Sequence, residues 1–220
     1  MIKEIAEKIK TLTESTGTNP KSEIPDKKIV IIDPSELIDE SPPEQMNTLG
    51  LFADVTEEKT AEVIHGMLYL DHINKHAAKE EDKKPIEFYI STYGGSADDM
   101  FGLYDVMRNI RDTSELHTIG VGKVMSAGVL LLAGGTTGKR KIGKNCRVMI
   151  HSVLGANHGS LPNMLNEMEA IEQLQEMYIA ALCDETSMSK TQIKKMLDRK
   201  VNVYLTAEEA VELGIADIII

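Results

Sequence analysis

A glycine-bounded turn ahead of an apolar run constrains the fold of this chain more than any other feature. Residues 122–128 read Gly-Lys-Val-Met-Ser-Ala-Gly and lead into the uninterrupted apolar run 129–133. The preceding residues, 116–121, have the composition of a buried strand. The segment therefore predicts a strand, a tight turn and a core helix within the apolar stretch 124–133.

Ser126 is a candidate nucleophile because of its place in this turn. A strand-to-helix turn exposes the side chain, the helix N-terminus favours developing negative charge, and the next backbone N–H is free to donate. Gly128 lets the chain turn tightly and lets a substrate approach the backbone. The alternative is that Ser126 only caps the helix, which is the commoner role for a serine at such a position.

Two further segments supply the other components of an acyl-transfer site. Residues 87–91 predict a strand that ends at a glycine-rich turn, and Ser96 with Asp99 predicts a capped helix after it. Residues 147–150 predict another buried strand, which delivers His151 at its end. Backbone donors, a hydroxyl and an imidazole at strand ends are the parts that nucleophilic acyl transfer needs.

These residues lie in ordered blocks that resemble ClpP, the proteolytic subunit family of the ATP-dependent Clp protease. The blocks include Tyr-Ile-Ser-Thr-Tyr-Gly-Gly-Ser, Val-Met-Ser-Ala-Gly-Val-Leu-Leu-Leu-Ala-Gly-Gly and Arg-Val-Met-Ile-His-Ser-Val-Leu-Gly, and the resemblance covers roughly residues 48–220. It implies an α/β fold of the ClpP/crotonase type. It also implies that Ser126 is the nucleophile and His151 the general base, with the N–H groups of Gly95 and Ala127 as the oxyanion hole.

The third member of the triad departs from the family pattern. Alignment on the block Tyr-Leu-Thr-Ala at 204–207 places Asn202 where the family has an aspartate. Asparagine can orient His151 through its amide oxygen, although in a trypsin-type site it lowers kcat about 10⁴-fold because the wrong histidine tautomer is held. Asp198 takes the role if the local alignment shifts. We favour Asn202.

The N-terminal residues 1–47 have no clear counterpart in the family and predict an extension ahead of a protease domain at 48–220. Residues 1–14 carry apolar side chains at helical spacing, interleaved with glutamates and lysines, which favours an amphipathic helix over a secretion signal. Residues 11–28 have the composition of a linker. This divergence suggests a phage-borne or accessory copy.

Two long helices are predicted downstream. The helix over 59–77 places Met67 and Leu68 towards the core and carries three histidines, His65, His72 and His76. No second cluster of metal ligands accompanies these histidines, so a solvated or packing face is favoured and no metal is expected.

The second long helix covers 162–184 and carries one apolar stripe, made of Met164, Met168, Ile171, Leu174, Tyr178 and Leu182. The resemblance implies that it is the handle helix, which projects from the globular head and intercalates with a partner in the opposite ring. A second subunit is then needed to bury the stripe.

Composition limits the possible function classes. A chain of 220 residues with 42% hydrophobic content is long enough for one domain with a sizeable core. A net charge of −11 without a basic stripe argues against nucleic-acid binding. The apolar stretch 124–133 is shorter than the roughly 20 residues that cross a bilayer. Cys146 and Cys183 show no disulfide framework, which favours a reduced, cytoplasmic protein.

The resemblance implies a serine endopeptidase without a cofactor of its own. In the family the working form is two stacked heptameric rings, into which a hexameric Clp AAA+ ATPase feeds unfolded polypeptides. Tyr89 matches one aromatic residue of the hydrophobic pocket that receives a loop of the ATPase, whereas Asn109 stands where a second aromatic is usual. The alternative for Tyr89 is a plain outward-facing strand residue.

Two other functions stay open. Asn202 motivates a weakly active or non-catalytic subunit that co-assembles with a complete one. A crotonase-type acyl-CoA enzyme would share the paired backbone donors, but it would need a CoA-binding surface that the sequence does not reveal.

Overall fold

Strands and helices alternate along much of the chain. The strands form one mixed sheet, and helices pack against it. The computed structural model describes residues 46–156, 158–198 and 201–220. Within them the strands are β1 (Thr48–Leu51), β2 (Ile86–Thr92), β3 (Leu116–Met125), β4 (Lys141–Ile142), β5 (Arg147–Ile150), β6 (Val203–Leu205) and β7 (Ile218–Ile219). The helices are α1 (Glu57–Lys75), α2 (Ala97–Ile110), α3 (Ala127–Ala133), α4 (Leu161–Glu185), α5 (Lys190–Leu197) and α6 (Ala207–Glu212). The predicted α/β class is confirmed.

The predicted extension, 1–47, lies almost wholly outside the described residues. Its boundary with the domain 48–220 stays a prediction.

The sheet is mostly parallel, and β3 is its longest strand. The order is β1-β2-β3-β4-β7, with every neighbouring pair in that order parallel. The end of β3 also pairs in parallel with β5, and β6 runs antiparallel to β5. Because parallel strands present their carboxyl ends at one edge, the residues that follow β2, β3 and β5 meet there.

The core helix α3 is shorter than the apolar stretch that predicts it. All of its residues, Ala127–Ala133, are buried. Val124 and Met125 belong instead to β3, where they pair with Val148 and Met149 of β5. Apart from Ser126 and Gly128 the stretch is apolar and has no period that separates a buried strand from a buried helix, so strand pairing decides the boundary.

The predicted helix start at Ser96 is confirmed, and two further helices begin with side-chain caps. The Ser96 side chain accepts a hydrogen bond from the Asp99 N–H at 3.2 Å at the start of α2. Capping boxes start α5, with Ser189 and Gln192, and α6, with Thr206 and Glu209. Each satisfies backbone donors that a helix start leaves without a partner.

The faces of α1 follow the prediction only in part. Met67 is fully buried, whereas Leu68 is 45% exposed, so its predicted place in the core is wrong. Adjacent helical residues are about 100° apart, which places Leu68 beyond the edge of the buried stripe. His65, His72 and His76 are exposed. No group of three or more His, Cys, Asp or Glu residues in the described part of the chain is arranged to hold a metal ion.

A buried polar cluster anchors the C-terminal end of α4. Both carboxylate oxygens of Glu185 accept hydrogen bonds from Arg111, at 2.7 and 2.8 Å, and Oε1 also accepts one from the Tyr104 hydroxyl at 2.7 Å. Arg140 donates to the Glu185 carbonyl at 2.6 Å and pairs with Asp217. Burial alone would raise the pKa of Glu185, but the hydrogen bonds from Arg111 and Tyr104 outweigh it and lower that pKa. The carboxylate therefore stays charged, and α4 is fixed at this end.

Cys146 and Cys183 are free thiols. Cys146 lies directly before β5 rather than within it, and burial raises its pKa to about 11. None of the described helices combines the length and the apolar composition needed to cross a membrane.

Candidate active site

Three strand ends contribute to one cleft of about 350 Å³ at the carboxyl edge of the sheet. Gly95 follows β2, Ser126 and Ala127 form the turn after β3, and His151 follows β5. All four residues line the cleft. The structure thus brings together the nucleophile, base and oxyanion donors that the sequence predicts, whereas Asn202 is not among the lining residues.

Ser126 has a strained backbone, with φ 54° and ψ −120°. It is the one non-glycine residue with positive φ in the described part of the chain. The turn is held because the Ser126 N–H donates to the Met149 carbonyl at 2.8 Å and the Ser126 carbonyl accepts from the Val129 N–H at 3.0 Å. Such strain persists only where surrounding contacts over-determine it, and it concentrates at functional sites.

The Ser126 side chain makes no capping hydrogen bond to α3. The alternative of a serine that only caps the helix is therefore not what this structure contains. Ser126 is half-buried and lines the cleft.

Gly94 allows the turn after β2 to approach Ser126 closely. A Cβ on Gly94 would lie 2.6 Å from the Ser126 Cβ and 3.0 Å from its Oγ. The φ of Gly94 is also 103°, which side chains rarely allow. Glycine is needed here for both space and conformation.

Gly95 and Ala127, the predicted oxyanion donors, both line the cleft. Val55 forms a parallel bridge with Gly95 by donating to the Gly94 carbonyl at 2.8 Å and accepting from the Ser96 N–H at 2.9 Å. Because peptide groups alternate in direction along an extended chain, the Gly95 N–H points away from Val55. Ala127 is the first residue of α3, where an N–H has no partner within the helix. Two such donors suit a developing negative charge.

His151 is half-buried, and the backbone carbonyl of the next residue orients its ring. Nδ1 lies 2.6 Å from the carbonyl oxygen of Ser152. A proton on Nδ1 would donate to this carbonyl and leave the lone pair of Nε2 as an acceptor, which is the tautomer that a general base needs. No hydrogen bond joins His151 to the Ser126 hydroxyl among the described residues. Catalytic hydrogen bonds of this kind often tighten only when substrate binds.

In the described part of the chain, neither candidate for the third group forms a hydrogen bond with the imidazole. The antiparallel register pairs Ile150 with Val203, so the next step along both chains brings His151 opposite Asn202. Asn202 is exposed, and it makes no hydrogen bond to His151 in the part of the chain that is described. Asp198 is the exposed C-cap residue of α5. The assignment to Asn202 stays a prediction.

The remaining cleft wall is largely apolar, and sequence reasoning did not assign it to the site. Its larger apolar and aromatic residues are Tyr93, Met100, Phe101, Val153, Leu154, Leu174 and Tyr178. Met100 and Phe101 lie within the first five residues of α2, so their place shortly after the Gly-Gly-Ser turn could have identified them. Leu174 and Tyr178 come from α4, and the sequence holds no local signal that connects them with Ser126.

Comparison with known proteins identifies the family. A model of the Clp protease family matches residues 45–220. The ATP-dependent Clp protease proteolytic subunit 1 of Prochlorococcus marinus (strain MIT 9312) is 32% identical over 166 residues, which cover 76% of this chain and 80% of the relative. Proteolytic subunit 3 of Synechococcus sp. (strain CC9605) is 36% identical over 174 residues, which cover 78% of this chain and 81% of the relative. The chain belongs to the Clp protease family.

The predicted family membership is thus confirmed. It argues against the alternative function of a crotonase-type acyl-CoA enzyme. A phage-borne origin and the role of α4 as a handle stay predictions. The bounds of α4, 161–185, agree closely with the predicted 162–184.

Gly94→Ala tests the close approach of the two turns. We expect it to destabilise the fold by about 3 kcal/mol, because the new methyl group meets Ser126 and the backbone keeps a positive φ. Labelling of Ser126 by a fluorophosphonate, which reports an activated hydroxyl, should slow at least about tenfold because the turn is displaced. Thermal unfolding and labelling kinetics measure the two effects.

The matched control is Gly102→Ala on α2. A Cβ there meets nothing within 4 Å, so the change should stabilise the helix by about 0.5–1 kcal/mol without slowing labelling. Wild-type labelling by Gly94→Ala would show that the approach is not required.

Proposed function

We propose that this protein is a serine endopeptidase, the proteolytic subunit of an ATP-dependent Clp protease. The observation that carries the proposal is that a strained Ser126, His151 and the predicted donor residues Gly95 and Ala127 line one cleft. Membership of the Clp protease family supports a peptidase. The apolar cleft wall suits the side chains of a polypeptide substrate.

In the proposed reaction, Nε2 of His151 accepts the proton of the Ser126 hydroxyl as Oγ attacks a peptide carbonyl carbon. The N–H groups of Gly95 and Ala127 stabilise the resulting oxyanion, and a single donor of this kind is worth roughly 3 kcal/mol. The imidazolium then protonates the leaving amine, and the acyl-enzyme forms. Water, deprotonated by His151, hydrolyses this ester and regenerates Ser126.

Asn202 is the proposed third group, and its uncharged amide is expected to lower the rate of peptide hydrolysis. The amide oxygen of Asn202, like the carbonyl of Ser152, can accept a hydrogen bond from Nδ1 and so hold the required tautomer. A neutral acceptor stabilises the imidazolium less than a carboxylate does. We therefore expect a slower enzyme than one with aspartate in this position.

We further propose that the working form is two stacked heptameric rings served by a hexameric Clp AAA+ ATPase in the cytoplasm. The names of the relatives describe subunits of an ATP-dependent protease. The N-terminal half of α4 exposes Met164, Leu165 and Met168, at 38%, 59% and 58%, and an opposing ring would bury these side chains. Enclosure would limit an unselective peptidase to unfolded polypeptides.

The second candidate function is a weakly active or non-catalytic subunit that co-assembles with a complete one. The observation in its favour is the exposed amide of Asn202 in place of an acidic residue. Activity of the purified homo-oligomer distinguishes the two candidates.

Ser126→Ala tests the nucleophile. We expect hydrolysis of a fluorogenic peptide to fall by roughly 10⁶-fold, to background, because the covalent route is removed. Assembly, measured by gel filtration, should not change because the Ser126 side chain caps nothing. Ser160→Ala is the matched control, since Ser160 is also an N-cap residue without a capping hydrogen bond. Equal activity of Ser126→Ala and wild type would exclude the mechanism.

Asn202→Asp tests the third group. We expect kcat to rise, because a carboxylate opposite His151 would stabilise the imidazolium in the transition state. Asp198→Ala should have little effect in the same peptidase assay. Loss of activity in Asp198→Ala, together with an active Asn202→Ala, would instead assign the role to the end of α5.

The proposed ATPase pocket includes Tyr89 on β2. Burial alternates along this strand, and Tyr89 is half-buried on the face opposite to Phe88 and Ile90. Its partner on β1 is Gly50, and the ring of the exposed Phe52 lies over that glycine. Two aromatic side chains are therefore neighbours on this face, which supports an apolar docking site. Asn109 is exposed on α2.

Changes at Tyr89 and Asn109 test this pocket. Tyr89→Ala should weaken binding to a bacterial Clp ATPase, whereas Tyr89→Phe should not, because apolar ring area supplies roughly 2 kcal/mol. Asn109→Phe should tighten binding, whereas Asn109→Ala should not. Binding isotherms measure all four variants. If neither Tyr89→Ala nor Asn109→Phe alters the affinity, the pocket is not the docking site.

A further inference from the structure

We propose that Tyr178 of α4 is a positioning residue for the oxyanion hole, which rests on the proposed peptidase function. Its hydroxyl donates a hydrogen bond to the carbonyl oxygen of Ser126 at 3.1 Å. This carbonyl belongs to the peptide unit whose N–H is that of Ala127, the proposed oxyanion donor. Tyr178 therefore holds the far end of the group that would stabilise the oxyanion.

The geometry of a peptide unit carries this effect from one side of the bond to the other. The described residues contain no cis peptide bond, and in a planar trans unit the C=O and N–H groups point in opposite directions. A hydrogen bond that fixes the Ser126 carbonyl thus also fixes the direction of the Ala127 N–H. Since Ala127 lines the cleft, that direction determines where an oxyanion can bind.

The Ser126 carbonyl has two anchors of different kinds. The Val129 N–H, at 3.0 Å, belongs to the same helix start and moves with the turn. Tyr178 lies on α4, 52 residues away along the chain, so it ties the turn to a separate element. Of these two anchors only Tyr178 fixes the carbonyl relative to α4, while the hydrogen bond from the Ser126 N–H to the Met149 carbonyl fixes the preceding peptide unit relative to β5.

The environment of Tyr178 suits a permanent donor. The residue is 5% exposed, and burial raises the pKa of its hydroxyl above the usual value, so that it stays protonated at neutral and moderately alkaline pH. A hydrogen bond to a carbonyl also polarises the amide and strengthens donation by its N–H, most of all at low local dielectric. This strengthening matters most when the oxyanion carries its full charge, so it acts on kcat rather than on substrate binding.

The position of Tyr178 itself is fixed from the end of its helix. Glu185 lies two turns further along α4 and is held by Arg111 and Arg140. Leu182, between them, is fully buried. The anchor of α4 and the oxyanion donor are therefore connected through one rigid helical segment.

Tyr178→Phe removes the hydroxyl and keeps the ring. We expect kcat on a fluorogenic peptide to fall roughly tenfold while KM stays within about twofold, less than the loss of a direct oxyanion donor. Ser114→Ala is the matched control, because it removes a buried hydroxyl that donates to Asp71 of α1 at 2.9 Å and that belongs neither to the cleft lining nor to the anchor of α4. It should lower the melting temperature but leave kcat unchanged.

A second measurement does not need an active enzyme. Hydrogen exchange of the amides in segment 125–129 should be faster in Tyr178→Phe than in wild type, and unchanged in Ser114→Ala. If the wild type shows no Ser126-dependent hydrolysis, the proposed function fails, and exchange alone decides whether Tyr178 anchors the turn.

Several results would overturn the inference. An unchanged kcat in Tyr178→Phe would do so, and a raised KM beside that unchanged kcat would indicate that Tyr178 contacts the substrate instead. Unchanged hydrogen exchange in segment 125–129 of Tyr178→Phe would also do so. If Tyr178→Phe does not fold, fluorotyrosine at position 178 replaces it. Its more acidic hydroxyl is a stronger donor and should maintain or raise kcat, whereas a lowered kcat would contradict the role.

Discussion

The contact between two chain turns is the constraint on which the candidate active site depends. Gly94 and Ser126 follow neighbouring parallel strands and lie so close that a Cβ on Gly94 would clash with the serine. Parallel pairing of β2 with β3 creates this closeness, because both strands end at the same edge of the sheet. The positive φ of Ser126 costs of order 1–3 kcal/mol, which the hydrogen bonds of the turn and the burial of α3 must offset.

Helix α4 serves different purposes along its length. Its C-terminal end is fixed through Glu185, and its middle contributes Leu174 and Tyr178 to the cleft. Its N-terminal half exposes apolar side chains such as Leu165. Packing rather than intrinsic propensity stabilises most protein helices, so this exposed half is where a second subunit would add the most. Assembly and catalysis would then share one helix.

Much of this protein can be predicted from local chemistry. Ser96 was identified as a helix cap because an oxygen three residues before a free N–H can accept from it. Ser126 and His151 were identified because residue type, neighbouring glycines and strand ends occur together in ordered blocks. The cleft that joins them follows from the rule that parallel strands end at one edge. Family membership rests on the same blocks.

Tertiary contacts decide those structural features that local sequence patterns do not determine. The apolar stretch 124–133 fits a buried strand and a buried helix equally well, and only pairing with β5 ends β3 at Met125. Leu68 is apolar and lies next to a core residue, yet the direction in which α1 packs leaves it exposed. The pattern that assigns Tyr178 to an apolar stripe cannot reveal that its hydroxyl bonds to Ser126, because a hydrogen bond between residues far apart in the chain produces no periodic signal.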